Sequence, residues 1–108
     1  MRFIIYGAGA IGGVVGARLF ESGHEVVLIA RGEHLRAIQS SGLTLQAPSA
    51  TVTLTIPAVG LPAEIEFRSD DVVFLAMKTN DTEAAVAELV AAAGSEIPVI
   101  CLQNGVEL

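Results

Sequence analysis

Five glycines fall between positions 7 and 16, directly after an apolar run. The run Phe3-Ile4-Ile5-Tyr6 leads into Gly7-Ala8-Gly9-Ala10-Ile11-Gly12, which fits the pattern G-x-G-x-x-G. Glycine inside a helix or strand costs roughly 0.5–1 kcal/mol relative to alanine. Some other interaction must therefore compensate for the free-energy cost of these glycines. The feature constrains the chain to a strand, a tight turn and a helix in immediate succession.

The apolar pattern changes from strand to helix and back within the first 30 residues. Arg2 to Tyr6 is typical of a strand that is buried on both faces. From Ala10 the spacing becomes helical, and Ser22-Gly23 predicts the end of that helix. Glu25 to Ala30 predicts a second buried strand, which completes a βαβ unit. The predicted inner helix face carries Ile11, Val14, Val15, Arg18 and Leu19.

The remaining sequence continues this alternation, with one interruption. A short helix is predicted over Glu33–Ser41, with Leu35 and Ile38 facing inward. Period-two patterns around 43–46 and 52–56, joined by Ala47-Pro48-Ser49-Ala50, predict an antiparallel hairpin. The stretch from Pro57 to Arg68 carries no clear pattern.

The last third predicts a strand, a helix and a strand. These elements are a strand over Val72–Ala76, a helix that begins at Asn80 and ends at Gly94, and a strand over Pro98–Leu102. The helix is predicted to bury Val86, Leu89, Val90 and Ala93. The whole chain, residues 1–108, is thus expected to form one α/β domain. Its predicted fold is a Rossmann-type, doubly wound, mostly parallel sheet with a small antiparallel hairpin insertion.

Charge and composition narrow the functional class. The net charge is −6 with six scattered basic residues, which argues against binding to nucleic acid or to anionic membranes. The first apolar run is too short and too rich in glycine for a signal peptide. The single cysteine is compatible with a reducing compartment. We therefore expect a soluble, cytoplasmic protein whose partners are small molecules.

The glycine loop predicts a dinucleotide site, because each glycine has a separate physical role. Gly7 allows the tight turn, Gly9 lets the backbone approach a pyrophosphate, and Gly12 lets the helix pack closely on the strand. The N–H groups at the start of the helix, over Ala8, Ala10 and Ile11, would then bind phosphate oxygens. The alternative is a structural turn with no ligand.

The end of the second strand indicates which nucleotide binds. Sites for NAD usually place Asp or Glu there, to bind the ribose 2′-hydroxyl. This chain has Ala30 followed by Arg31. A guanidinium suits a 2′-phosphate, so the sequence favours NADP(H) as the cofactor. The alternative for Arg31 is an exposed loop charge.

Two polar residues follow the later predicted strands. Lys78 comes after Leu75-Ala76-Met77, and Asn104 comes after Leu102-Gln103. Ligands in such sheets bind beyond the carboxyl ends of the strands, so both residues are candidates for the nicotinamide end of the site. Their alternatives are an exposed lysine and an ordinary Asn-Gly turn.

The other chemically reactive residues give little indication of a functional site. His24 and His34 show no metal-ligand spacing with Cys101, and Cys101 is predicted to be a buried core residue. Asp70-Asp71 is interpreted as a turn before a strand. The sequence offers no metal site and no nucleophile–base arrangement.

Four stretches together resemble the ketopantoate reductases, also called 2-dehydropantoate 2-reductases. They are GAGAIGG at 7–13, ARGEHL at 30–35, AMK at 76–78 and LQNGV at 102–106. The resemblance implies an NADPH-dependent reduction of ketopantoate to pantoate in pantothenate biosynthesis. It implies that the glycine loop binds the pyrophosphate, that Arg31 binds the 2′-phosphate, and that Lys78 and Asn104 line the cofactor cleft. Asn104 would also contact the 2-keto acid substrate.

The resemblance also implies that the family's helical C-terminal domain is absent from this chain. In that family a catalytic lysine and an assisting acidic residue come from a helical C-terminal domain, for which this chain has no candidate residues. We therefore expect a domain that binds the cofactor but is inactive alone, and that self-associates through uncovered apolar surface. The alternatives are a nucleotide-sensing regulatory module without chemistry, and a reductase of a different 2-keto acid.

Overall fold

A five-stranded, fully parallel sheet forms the centre of the molecule. The computed structural model describes residues 1–7, 9–46, 51–76 and 82–102, with only the backbone described at positions 10, 45, 46 and 82. The strand order is β5-β2-β1-β6-β7. The strands of this sheet are β1 (Arg2–Tyr6), β2 (Glu25–Ile29), β5 (Ala58–Val59), β6 (Asp71–Leu75) and β7 (Val99–Cys101).

Helices cover both faces of the sheet, as the doubly wound prediction requires. They are α1 (Ala10–Glu21), α2 (Gly32–Ser41) and α3 (Thr82–Ala93), with a short 3₁₀ helix over Pro62–Glu64. One apolar core joins Ile5 and Leu28 to α1 and α2, and the other joins Ile4 and Val73 to α3. Within the described residues, no helix is both long and apolar enough to cross a membrane.

The predicted hairpin is confirmed as a separate two-stranded antiparallel sheet. Its strands are β3 (Leu43–Gln46) and β4 (Thr51–Leu54), and Leu43 pairs with Leu54. The loop between them, 47–50, lies outside the described residues. Gly42 has a φ of +89° where α2 turns into β3, a left-handed conformation that favours glycine.

The unassigned stretch 57–68 contains β5, which the sequence did not predict. β5 has two residues, and Leu28 and Ile29 of β2 pair with Ala58 and Val59. A two-residue strand is too short to show the periodicity by which strands are recognised.

The buried faces of two helices differ from the prediction. In α1, Val15 and Leu19 pack against the core as predicted, but Val14 and Arg18 are exposed. The most buried positions of α1 are small residues, namely Gly12, Gly13, Gly16 and Ala17. In α3, Leu89 is buried and Ala93 is half-buried as predicted, but Val86 and Val90 are exposed and Ala85 is buried in their place. In α1 the small residues face the sheet because the helix packs closely on it: a Cβ at Gly12 would lie 2.9 Å from Ala76, and one at Gly16 would lie 3.0 Å from Leu28.

Cys101 is exposed, so its prediction as a buried core residue is wrong. β7 is the last strand in the described order of the sheet, and Val99 and Ile100 in it are exposed as well. A continuous apolar run predicts a strand covered on both faces, but the described chain covers neither face of β7.

A buried ion pair joins β1 and β6 at their amino ends. Arg2 donates to both carboxylate oxygens of Asp71, from Nε at 2.8 Å and from Nη2 at 2.7 Å. Asp71 is 1% exposed and also accepts from the backbone N–H of Arg68. Asp71 is thus the first residue of β6 and an anchor of the sheet, in contrast to the predicted turn.

We expect Asp71→Asn to lower the free energy of unfolding by about 3–5 kcal/mol, because it leaves the Arg2 charge buried without its partner. Urea denaturation followed by circular dichroism measures this. Glu25→Gln, which breaks the exposed Arg68–Glu25 pair, serves as the control and should change stability by less than about 1 kcal/mol. Equal effects of the two variants would contradict the assignment.

Candidate functional site

The carboxyl ends of the five parallel strands meet at one edge of the sheet. Tyr6, the last residue of β1, pairs with Ile29 of β2 on one side and with Leu75 of β6 on the other. Backbone hydrogen bonds extend this alignment past the strand ends, from Ala76 N–H to Tyr6 C=O at 2.9 Å and from Leu102 N–H to Leu75 C=O at 2.7 Å. Residues that follow the strands are therefore brought to a common edge.

The three loop glycines occupy three different environments. Gly7 has a φ of +103°, which favours glycine, and its N–H donates to the carbonyl of Ile29. A Cβ on Gly12 would lie 2.1 Å from the carbonyl oxygen of Gly7 and 2.9 Å from the Cβ of Ala76, so a side chain is excluded there. A Cβ on Gly9 would meet no atom within 4 Å.

This arrangement fits a bound pyrophosphate. Gly12 brings α1 against the loop, and the open side of Gly9 leaves the backbone accessible to a ligand. Gly9 is the N-cap of α1 and has no side chain with which to cap it, and the first turn of α1 contains no acidic residue. The N–H groups of the first helical turn are thus available to an anion.

Three other loop residues, Ala8, Ala10 and Ile11, are predicted to bind the cofactor through their backbone N–H groups. Ala10 begins α1, and Ile11 follows it with a half-buried side chain. Ala8 lies outside the described residues. Their role in cofactor binding stays a prediction.

Arg31 lies where β2 leaves the sheet. Ala30 before it is buried, with its N–H bonded to the carbonyl of Val59 at 3.0 Å, so a carboxylate in its place would be buried in the apolar core. Arg31 is the N-cap residue of α2, and its side chain is 69% exposed. The guanidinium is thus accessible at the carboxyl edge of the sheet, as the prediction of a phosphate contact requires.

Lys78 and Asn104 lie outside the described residues, as does the predicted cap residue Asn80. The strands that precede Lys78 and Asn104, β6 and β7, end at the same edge as β1. Their assignment to the cofactor and substrate cleft stays a prediction.

The structure adds two residues to the site, Tyr6 and Glu88, which the sequence analysis did not identify. The hydroxyl of Tyr6 donates a short hydrogen bond to Oε1 of Glu88 on α3. The same oxygen lies 3.4 Å from Nη2 of Arg31, and the Glu88 side chain is 42% exposed. Exposed pairs of this kind contribute at most about 1 kcal/mol, so another anion can exchange for Glu88 at Arg31. Glu88 carries no local sequence signal, because only the fold brings α3 beside β1 and β2.

The Tyr6 hydroxyl has a shifted acidity. The pKa of Tyr6 is raised to about 12, first by burial and second by the hydrogen bond to Glu88, while Arg31 opposes the shift. Since this pKa exceeds the unperturbed value of 10, the stability that Tyr6 contributes is present below pH 10 and lost as the pH rises towards 12. At neutral pH the hydroxyl therefore remains a donor to Glu88.

Tyr6 is the only tyrosine and the chain has no tryptophan, so phenolate absorbance reports this residue alone. In a rapid pH jump, before alkaline unfolding, we expect an ionisation midpoint near 12. Glu88→Gln should lower the midpoint, because it removes the negative charge beside the phenol. Glu83→Gln, on the same helix, should leave it unchanged. A midpoint near 10 in the folded chain would rule out the hydrogen-bonded, buried phenol.

Several known proteins are similar to this chain. The 2-dehydropantoate 2-reductases of Mesorhizobium japonicum and Archaeoglobus fulgidus are 35% and 34% identical to it, over 98% and 97% of the chain. The crystal structure of a PanE/ApbA family ketopantoate reductase from Ralstonia eutropha JMP134 superposes with a TM-score of 0.86, at 37% identity over 99% of the chain. A ternary structure of D-mandelate dehydrogenase with NADH and anilino(oxo)acetate superposes with a TM-score of 0.84, at 32% identity over 98% of the chain.

These similarities cover almost all of this chain but only part of each relative. The chain spans 32% and 33% of the two reductases, 35% of the Ralstonia eutropha chain and 34% of the D-mandelate dehydrogenase chain. The family model for ketopantoate reductase PanE/ApbA matches residues 3–108. With the fold, the glycine loop and these relatives in agreement, the chain belongs to the ketopantoate reductase PanE/ApbA family.

Proposed function

We propose that the chain is the NADP(H)-binding domain of an oxidoreductase that reduces 2-dehydropantoate to pantoate. The geometry of the glycine loop carries this proposal, since Gly7 turns the chain, Gly12 admits the helix and Gly9 leaves open space for a ligand. The names of the relatives support the substrate, a small 2-keto acid. Because the chain spans about a third of those relatives, the activity is proposed for the longer protein.

Each proposed role is supported by the strand or helix that the residue follows or begins in the sequence. The first turn of α1 would hold the pyrophosphate, and Arg31 would pair with the 2′-phosphate through charge-assisted hydrogen bonds. Lys78 and Asn104 would line the nicotinamide end, with Asn104 beside the substrate. The bound cofactor would supply a hydride to the substrate carbonyl.

We further propose that the proton donor lies in a part of the longer protein that this chain does not contain. The dinucleotide-binding half of such an enzyme positions the cofactor, while the acid that protonates the forming alkoxide must lie within hydrogen-bond reach of the substrate. On this basis the isolated chain binds the cofactor without reducing the substrate. We also propose that the protein is cytoplasmic and that the isolated chain self-associates through uncovered apolar surface.

A second candidate function is the NADH-dependent reduction of a different 2-keto acid. It is favoured by the D-mandelate dehydrogenase neighbour, which was solved with NADH and a ligand bearing an oxoacetate group. The two candidates differ in the group at the ribose 2′ position, and Arg31 is the residue that would distinguish them. The relatives described above are reductases and a dehydrogenase, so they do not support the alternative of a nucleotide-sensing regulatory module.

We expect the chain to bind NADPH more tightly than NADH in calorimetric titrations. Arg31→Ala should weaken NADPH binding by roughly 1.5–3 kcal/mol and barely change NADH binding, because only NADPH places a phosphate at the guanidinium. Arg36→Ala, a matched change at an exposed position of α2, should affect neither cofactor. Equal losses for both cofactors in Arg31→Ala would contradict the 2′-phosphate assignment, and a preference for NADH would favour the second candidate.

A further inference from the structure

Glu88 places a negative charge at the point where the proposed function requires a positive one. Its Oε1 accepts from the Tyr6 hydroxyl and lies 3.4 Å from Nη2 of Arg31. A carboxylate is thus in place on the guanidinium that would receive the 2′-phosphate. The roles proposed above leave this carboxylate unused.

The surroundings of Glu88 keep its carboxylate beside Arg31. Tyr6 is 3% exposed, so its hydroxyl is fixed by packing and directs one carboxylate oxygen. Glu88 also lines a cavity of about 250 Å³ that lies between α3 and the 3₁₀ helix. The other lining residues within the described part of the chain are apolar and include no cation: Leu61, Pro62, Ala63, Ala91 and Ala92.

We propose that Glu88 competes with the cofactor 2′-phosphate for Arg31 and so reduces the preference of this site for NADPH over NADH. The inference rests on the proposed function, and specifically on Arg31 as the 2′-phosphate ligand. A phosphate monoester carries about −1.5 to −2 charges at neutral pH and is repelled by the Glu88 carboxylate. The 2′-hydroxyl of NADH carries no charge and can donate a hydrogen bond to a carboxylate instead.

The size of the effect follows from the exposure of the pair. Arg31 and Glu88 are 69% and 42% exposed, so their charges act through a nearly aqueous medium. Two anions on opposite sides of one guanidinium lie about 6–12 Å apart, and in such a medium the repulsion between a dianion and an anion at that separation corresponds to about threefold to tenfold in affinity. Salt screens charges that are exposed in this way, so the effect should shrink as ionic strength rises.

The test is calorimetric titration of the chain and of Glu88→Gln with NADPH and NADH at low ionic strength. Glutamine keeps the side-chain size and an oxygen that can accept from Tyr6, but removes the charge. We expect NADPH to bind about threefold to tenfold more tightly to the variant, with NADH binding unchanged or weaker. Glu96→Gln is the matched control, because Glu96 borders a cavity with Asp71 and Pro98, at the amino ends of the strands.

The outcomes separate this inference from the proposed function. If Arg31→Ala weakens NADPH binding but Glu88→Gln leaves it unchanged or weaker, the competition is overturned and the proposed function stands. If Arg31→Ala has no effect on NADPH, both are overturned. Equal changes for both cofactors in Glu88→Gln would show a structural role and overturn the competition.

A second variant covers the case in which Glu88→Gln does not fold. Glu88→Ala combined with Tyr6→Phe removes the charge without leaving the buried hydroxyl unpaired, and alanine suits a helix interior. It should show the same gain for NADPH alone, and that gain should shrink on addition of salt. A gain that salt does not reduce would overturn the electrostatic explanation.

Discussion

The close contact of α1 with β1 at Gly12 determines the geometry of the site. With a Cβ excluded at Gly12 by the carbonyl of Gly7, the helix begins directly above the strand and the loop stays short. Gly16 extends this contact one turn further, where a Cβ would lie 3.0 Å from Leu28. The start of α1 is therefore aimed at the sheet edge where β2, β1 and β6 end. A larger residue at the contact would move the helix dipole away from that edge.

The same contact explains which parts of the fold could be predicted. β1, β2 and β6 are apolar runs bounded by glycine or charge, and all three predictions are confirmed. The inner face of α1 is predicted only in part, since Val15 and Leu19 pack against the core but Val14 does not. Hydrophobic periodicity assumes that the largest apolar residues face the core. In this helix the small residues face it, since interaxial distance rather than side-chain volume sets the packing. The glycine pattern therefore indicates close helix packing as well as a ligand site.

Long-range polar pairs were the main features that sequence reasoning missed. Arg2 and Asp71 are 69 residues apart in sequence, and Tyr6 and Glu88 are 82 apart. No local pattern can reveal such a pair, because strand order decides which ends meet. The position of Arg31 at the end of β2 was predictable, since the residue after a strand in a βαβ unit lies at the ligand edge. Its partner Glu88 was not, and Lys78 and Asn104 lie outside the described residues.

Two arginine–carboxylate ion pairs lie at opposite edges of the sheet, and they differ in burial and therefore in strength. At the amino edge, Arg2 and Asp71 are buried and joined by two short hydrogen bonds, so separating them would expose an uncompensated charge to an apolar interior. At the carboxyl edge, Arg31 and Glu88 are exposed and lie 3.4 Å apart, so water and a competing anion can replace either partner at little cost. The first pair therefore fixes two strands relative to each other. The second pair is weak enough to open, so Arg31 can exchange Glu88 for a phosphate on a chain whose net charge is −6.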